Sequence, residues 1–172
     1  MAIVKATYTH TGSAAKAAIR YIENRPGKDG SRIVRTLYKA DGKVERREVY
    51  EMIDAAAKGS YFFRLVISPD PQREDGDKDL ALRDITERTI QSLEDRFQTP
   101  LQWVAAIHAD HTDTRHIHAI AIVPGRLNVQ DFQRMRSAAT AEALEQRRHL
   151  DLMREAHQQS QDQSAGLELA VS

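Results

Sequence analysis

Two apolar segments, LQWVAAIHAD (residues 101–110) and HIHAIAIVP (116–124), are separated by only five polar residues. Both have the β-branched and aromatic content of strands, and so short a connection predicts that they pair as antiparallel neighbours. A third segment, YFFRLVIS (61–68), is an apolar run with one arginine, ended by Pro69, which suits a central buried strand. Residues 3–9, IVKATYT, predict another strand, and the Thr-Gly-Ser turn after them offers Ser13 as a helix N-cap. Ala14, Ala17, Ala18, Tyr21 and Ile22 then recur at helical spacing, up to a break near Asn24 imposed by Pro26 and Gly27.

Residues 33–39 and 43–49 flank Asp41-Gly42, a hairpin signal whose charged second strand would be an exposed edge, with a short helix at 50–58. Leu80, Leu82, Ile85, Thr89, Leu93 and Phe97 trace an amphipathic helix closed by Thr99-Pro100, and strong helix formers run from Gln130 to about Gln159. Trp103 falls within an alternating strand pattern and is expected in the core. The order β, α, β, β, α, β, α, β, β, α predicts an α+β fold, a mainly antiparallel central sheet with helices packed on it. At 172 residues, 41% hydrophobic and 29% charged, the chain suits one domain, expected over residues 1–160 with a frayed tail at 161–172.

No apolar run approaches the roughly 18 residues of a membrane span. The start, MAIVKATYTHTGS, lacks the features of a secretory signal, and there is no cysteine, which excludes disulfide and thiol chemistry and favours the cytoplasm. The formal net charge is zero, but unevenly spread: residues 1–50 hold 11 Lys/Arg against 5 Asp/Glu, so the rest of the chain is acidic. Lys28, Arg32, Arg35, Lys39, Lys43, Arg46 and Arg47 fit either a phosphate-binding surface or solvated charge on an exposed hairpin.

Four of the seven histidines, His108, His111, His116 and His118, fall within eleven residues. Strand alternation puts His116 and His118 on one face, and His108 with Asp110 on one face of the preceding strand. Pairing with His108 near His118 would bring three imidazoles together, a set of protein ligands that leaves coordination positions open, as at catalytic metals. Asp110 could orient one imidazole by accepting its other N–H. His111, in the loop, is not expected to be a ligand. The alternative is a set of ordinary polar residues on a solvated sheet face. The spacing is not that of zincins, and Asp110 and His118 occupy the positions where a two-histidine phosphodiesterase needs Thr or Ser.

His116-Ile117-His118 is a His-hydrophobe-His pair on a strand, and with it the chain resembles a plasmid mobilisation relaxase of the HUH endonuclease superfamily. AAKAAIRYIENRPGKDG resembles that family's nucleophile motif, FFRLVISPDP its second motif, and LQWVAAIHADHTDTRHIHAIAIVPG its metal motif, in the family's order over about residues 2–125. The resemblance implies an HUH-type fold related to the ferredoxin- or RRM-like sandwich. It implies Tyr21 as nucleophile, His108, His116 and His118 as ligands of one divalent ion, Asp110 beside them, and Ser68 near the DNA backbone. The ion would be Mg or Mn in the cell, with Zn, Co or Ni able to replace it in a crystal. Arg20, Arg25, Lys28, Arg32 and Arg35 would contact DNA. The chain ends soon after one helix, as a minimal relaxase or a catalytic fragment would.

The resulting expectation is a metal-dependent single-strand DNA nickase and strand transferase that forms a 5′-phosphotyrosyl link at an origin-of-transfer-like site. Its partners would be single-stranded DNA or an origin hairpin, and accessory mobilisation proteins. Two alternatives stand beside it: a relaxase-like regulator that binds single-stranded DNA without cutting, and a metal-dependent enzyme acting on a small phosphate ester. From position alone, Tyr21 could be a core aromatic and Ser68 a mere strand-ending residue. The remaining tyrosines, Tyr8, Tyr38, Tyr50 and Tyr61, lie outside the nucleophile segment.

Overall fold

The computed structural model describes residues 1–110 and 113–171. His111 lies outside them, and with it the expectation made for that residue. Six strands form one open antiparallel sheet: β1 (Ile3–Thr9), β2 (Tyr38–Lys39), β3 (Gly42–Lys43), β4 (Tyr61–Ser68), β5 (Gln102–His108) and β6 (His116–Val123). Their spatial order is β1-β4-β6-β5-β2-β3. Four helices, α1 (Gly12–Asn24), α2 (Arg46–Asp54), α3 (Leu82–Phe97) and α4 (Val129–Val171), pack on the two faces. The element order is the one expected, and the fold is α+β.

Alternation along the central strands divides the core into two layers. Phe62, Val104, Ala106 and Ile120 face α1 and α2 and pack with Ile19, Ile22, Val49 and Ile53. Phe63, Leu65, Ile67, Trp103, Ile117, Ala119 and Ala121 face α3 and α4 and pack with Ile85, Ile90, Leu93, Met135 and Ala139. Trp103 is a core residue, as expected. β4, β5 and β6 thus bury apolar residues on both faces, which is why each reads as a nearly unbroken hydrophobic run. Helices α1 and α2 cover only part of their face. Beyond them Ile3, Lys5 and Thr7 of β1 are exposed, and Arg64, Val66 and Ser68 of β4 half-buried.

Four local expectations are corrected. α1 is capped by Thr11, whose hydroxyl accepts from the N–H of Ala14, so the helix starts a residue before Ser13. The Asp41-Gly42 turn forms, but its strands are two residues each. Residues 46–54 are helix α2 rather than strand followed by helix, because Val49 and Ile53 recur at four-residue spacing and both are buried. Residues 33–37 are irregular: the N–H of Arg35 donates to the carbonyl of Glu23 at the end of α1 rather than to a strand partner. At the far end α4 continues past Gln159 to Val171, with residues 151–170 fully outside the core. No helix among the described residues is long and apolar enough to cross a membrane.

Candidate metal centre

The β5–β6 hairpin sets the site. Its register places His108 opposite His116 and Ala106 opposite His118, so the pairing is two residues from the expected His108–His118 juxtaposition, and because side chains alternate all three imidazoles still share the α1 face. Ring centroids of His108 lie 4.4 Å from His118 and 5.4 Å from His116, and those of His116 and His118 are 5.1 Å apart. One nitrogen from each ring falls within 4.8 Å of the others. The entry to β6 is anchored by Arg115, which donates Nε and Nη2 to the two carboxylate oxygens of Asp75 at 2.8 and 2.6 Å. This bidentate pair ties the residue before His116 to the acidic loop after β4.

Hydrogen bonds indicate which nitrogens are free. His108 is fully buried, and its Nε2 donates to the carbonyl of Ile22 at 2.9 Å, leaving Nδ1 as an unpartnered acceptor. His116 sets Nδ1 3.4 Å from the carbonyl of Thr114. His118, 6% exposed, has no hydrogen-bond partner on either nitrogen. Orphaned buried nitrogens are costly, and those of His108 and His118, set beside His116, call for a shared partner. The group could hold one metal ion. Carbonyls bonded to the far side of metal-binding imidazoles are the usual means of fixing their tautomer. The carbonyl end of α1, which faces His108 through Ile22, also favours a cation.

Burial drives all three imidazoles toward the neutral form. It pushes His108 down to about 4, assisted by the field of Arg35, and His118 down to about 3, assisted by the other two histidines and then by Arg64 and Arg25. His116 is lowered too, by burial first, with its contact to the Thr114 carbonyl acting in the opposite direction. Their lone pairs are therefore available at neutral pH. The linkage has a definite sign: below the ordinary histidine value of 6.5 the unfolded chain takes up protons that the folded chain refuses. The metal-free protein is expected to lose stability as pH falls from 6.5 toward about 3, and to hold its full value above that window. The fall in melting temperature with pH across this range should be shallower in His118→Leu than in wild type, with the share due to His108 and His116 remaining.

Tyr21 sits in the last turns of α1 and is 43% exposed, outside the buried stripe of Ala15, Ile19 and Ile22, so it is not a core aromatic. Its neighbour Ile22 carries the carbonyl bonded to His108, so the turn of α1 that bears Tyr21 is tied to the triad. Two guanidinium groups flank its ring, Arg64 at 4.9 Å and Arg25 at 5.6 Å from the centroid. Ser68, at the end of β4, lies on the same face, one alternation beyond the Val66–His118 pair.

Other expected site residues fall differently. Arg35 is only 7% exposed and does not face solvent: Nη1 donates to the carbonyl of Arg25 at 2.8 Å, while Nη2 and Nε donate to Asp110 at 2.6 and 3.3 Å. Its guanidinium is committed to these partners within the protein. Asp110 correspondingly holds Arg35 rather than an imidazole, and the orienting role foreseen for it belongs to backbone carbonyls. Arg20 is exposed and donates to the Tyr50 hydroxyl at 3.3 Å, whereas Lys28 and Arg32 are exposed in the segment after α1. Of the remaining basic stretch, Lys43, Arg46 and Arg47 pair with Glu45, Glu23 and Glu51.

The sequence reading missed Arg64, although a lone arginine inside an apolar strand was a visible signal. It also missed the Ile22 carbonyl, for which no side-chain signal exists. Arg35→Ala should destabilise the fold by about 2 kcal/mol in a denaturant titration. That is less than the 3–5 kcal/mol of a fully buried pair, because water reaches the Asp110 carboxylate. Comparison with protein families, curated proteins and solved structures finds no match to this chain.

Proposed function

We propose that this protein is a metal-dependent single-strand DNA nickase and strand transferase of the relaxase type, working through Tyr21 at an origin-of-transfer-like site. The observation that carries the reading is the position of Tyr21, exposed, flanked by two arginines and joined through Ile22 to a triad of neutral histidines. In the reaction the Tyr21 Oη attacks the scissile phosphorus, the Oη–P bond forms and the P–O3′ bond breaks. The phenolic proton passes to water and the departing 3′ oxygen is protonated to a hydroxyl. The 5′-phosphotyrosyl ester conserves the bond energy, so a 3′-hydroxyl can reverse the step without ATP.

His108, His116 and His118 would hold the ion. A divalent cation on three neutral imidazoles keeps its full charge and supplies Lewis acidity to the scissile phosphate. Mg or Mn is the proposed cellular ion; imidazole donors favour Mn²⁺, Co²⁺, Ni²⁺ or Zn²⁺ over Mg²⁺ in vitro. Single-stranded DNA or an origin hairpin is the proposed substrate, accessory mobilisation proteins the proposed partners, and the cytoplasm, consistent with a chain lacking cysteine, the compartment. Incubation with an origin-strand oligonucleotide library and Mn²⁺, followed by a denaturing gel, should reveal discrete cleavage that EDTA abolishes. Binding without cleavage would favour the non-cutting regulator, and neither would remove DNA as the substrate.

A further inference from the structure

Arg64 is the only charged side chain in β4, and no salt bridge among the described residues accounts for its charge there. It is half-buried on the α1 face, opposite Thr7 of β1 and Ile120 of β6, with its guanidinium over the Tyr21 ring. Other partly or fully buried arginines, such as Arg35, Arg115 and Arg147, are each matched by a carboxylate. Among the described residues no carboxylate pairs with Arg64, with Arg25 on the other side of Tyr21, or with Lys5. Lys5 and Arg64 line a depression of about 240 Å³, with Ala6, Thr7 and Val66, on the part of the sheet that α1 leaves open.

Taking a guanidinium partly out of water without a counter-ion costs free energy, and setting it beside a site shaped for a cation adds repulsion. The arrangement becomes favourable once an anion lies between the two. Five N–H donors in a planar fork suit a phosphate oxygen pair. Resting on the nickase reading above, we infer that Arg64 and Arg25 grip the scissile phosphodiester beside Tyr21, and that the strand continues over the β1–β4 depression with its next phosphate on Lys5. The DNA track thus crosses the open sheet face. It does not follow residues 35–47, where Arg35, Lys43, Arg46 and Arg47 are already paired.

The test is the affinity of a fluorescein-labelled oligothymidylate, followed by anisotropy across a salt series in Mn²⁺, with thermal melts to verify folding. Arg64→Gln should weaken binding about tenfold or more. It should also make the slope of log K against log salt shallower by about 0.7, the value of one lost phosphate contact on a single strand. Arg64→Lys should restore the slope, which a purely structural role would not predict. Arg47→Gln, at an exposed and distant pair with Glu51, should change neither quantity. Should Arg64→Gln fail to fold, Arg25→Gln and Lys5→Gln carry the same measurement. Wild-type binding with a slope unchanged in these variants overturns the inference and leaves the nickase reading standing. Absence of binding by wild type to this probe and to the origin-strand library alike overturns the nickase reading itself.

Discussion

A Tyr21→Phe variant is expected to bind Mn²⁺ and single-stranded DNA as the wild type does and to lose strand cleavage by roughly four to six orders of magnitude, as removal of a nucleophile does elsewhere. The substitution deletes one oxygen from a ring that is 43% exposed and packs into neither core layer, so folding should be unaffected. The arginines flanking the ring at 4.9 and 5.6 Å would keep most of their contact with a phenyl group. The bond from His108 to the Ile22 carbonyl does not involve the hydroxyl and should survive. Single-turnover cleavage of a cognate strand, measured beside calorimetric metal binding, separates the two properties. Cleavage that persists in the variant would move the nucleophile to another residue.

The second large effect belongs to the triad. His116→Ala combined with His118→Ala should weaken Mn²⁺ binding by at least about 100-fold in a calorimetric titration, because losing two of three donors exceeds the cost of disturbing an outer partner. Stability should behave in the opposite sense to a core substitution. His118 is buried with both nitrogens unpartnered, so His118→Leu, of similar volume and without polar atoms, should hold or raise the stability of the metal-free protein by about 1 kcal/mol. A structural histidine would lose stability on the same change. Metal binding left intact in the double variant would contradict the assignment.

The central sheet could be read from residue order because β4, β5 and β6 are buried along one face and largely covered on the other, and consist mainly of apolar residues. The hairpin at Asp41-Gly42 was legible as a turn and not as strands, since the charged sequence after it hid the four-residue recurrence of Val49 and Ile53. The three histidines were visible from strand alternation alone, and a register shifted by two residues from the expected pairing kept them together, since opposite and diagonal neighbours share a face. What escaped the sequence were the partners. Arg35 looked like one more cation in a basic stretch, and only the path of residues 33–37 back along the end of α1 turns it inward onto Asp110 and Arg25. The carbonyls of Ile22 and Thr114 belong to the backbone, which every residue has, and no residue type announces them.

The most direct measurement is the intact mass of the protein after incubation with a cognate single-stranded oligonucleotide and Mn²⁺, followed by peptide mapping. Wild type is expected to gain the mass of the 3′ fragment of the cleaved strand, carried on the peptide that contains Tyr21, and to gain nothing when EDTA is present. An adduct on a peptide lacking Tyr21, or cleavage of the strand with no covalent adduct at any time point, would contradict the account.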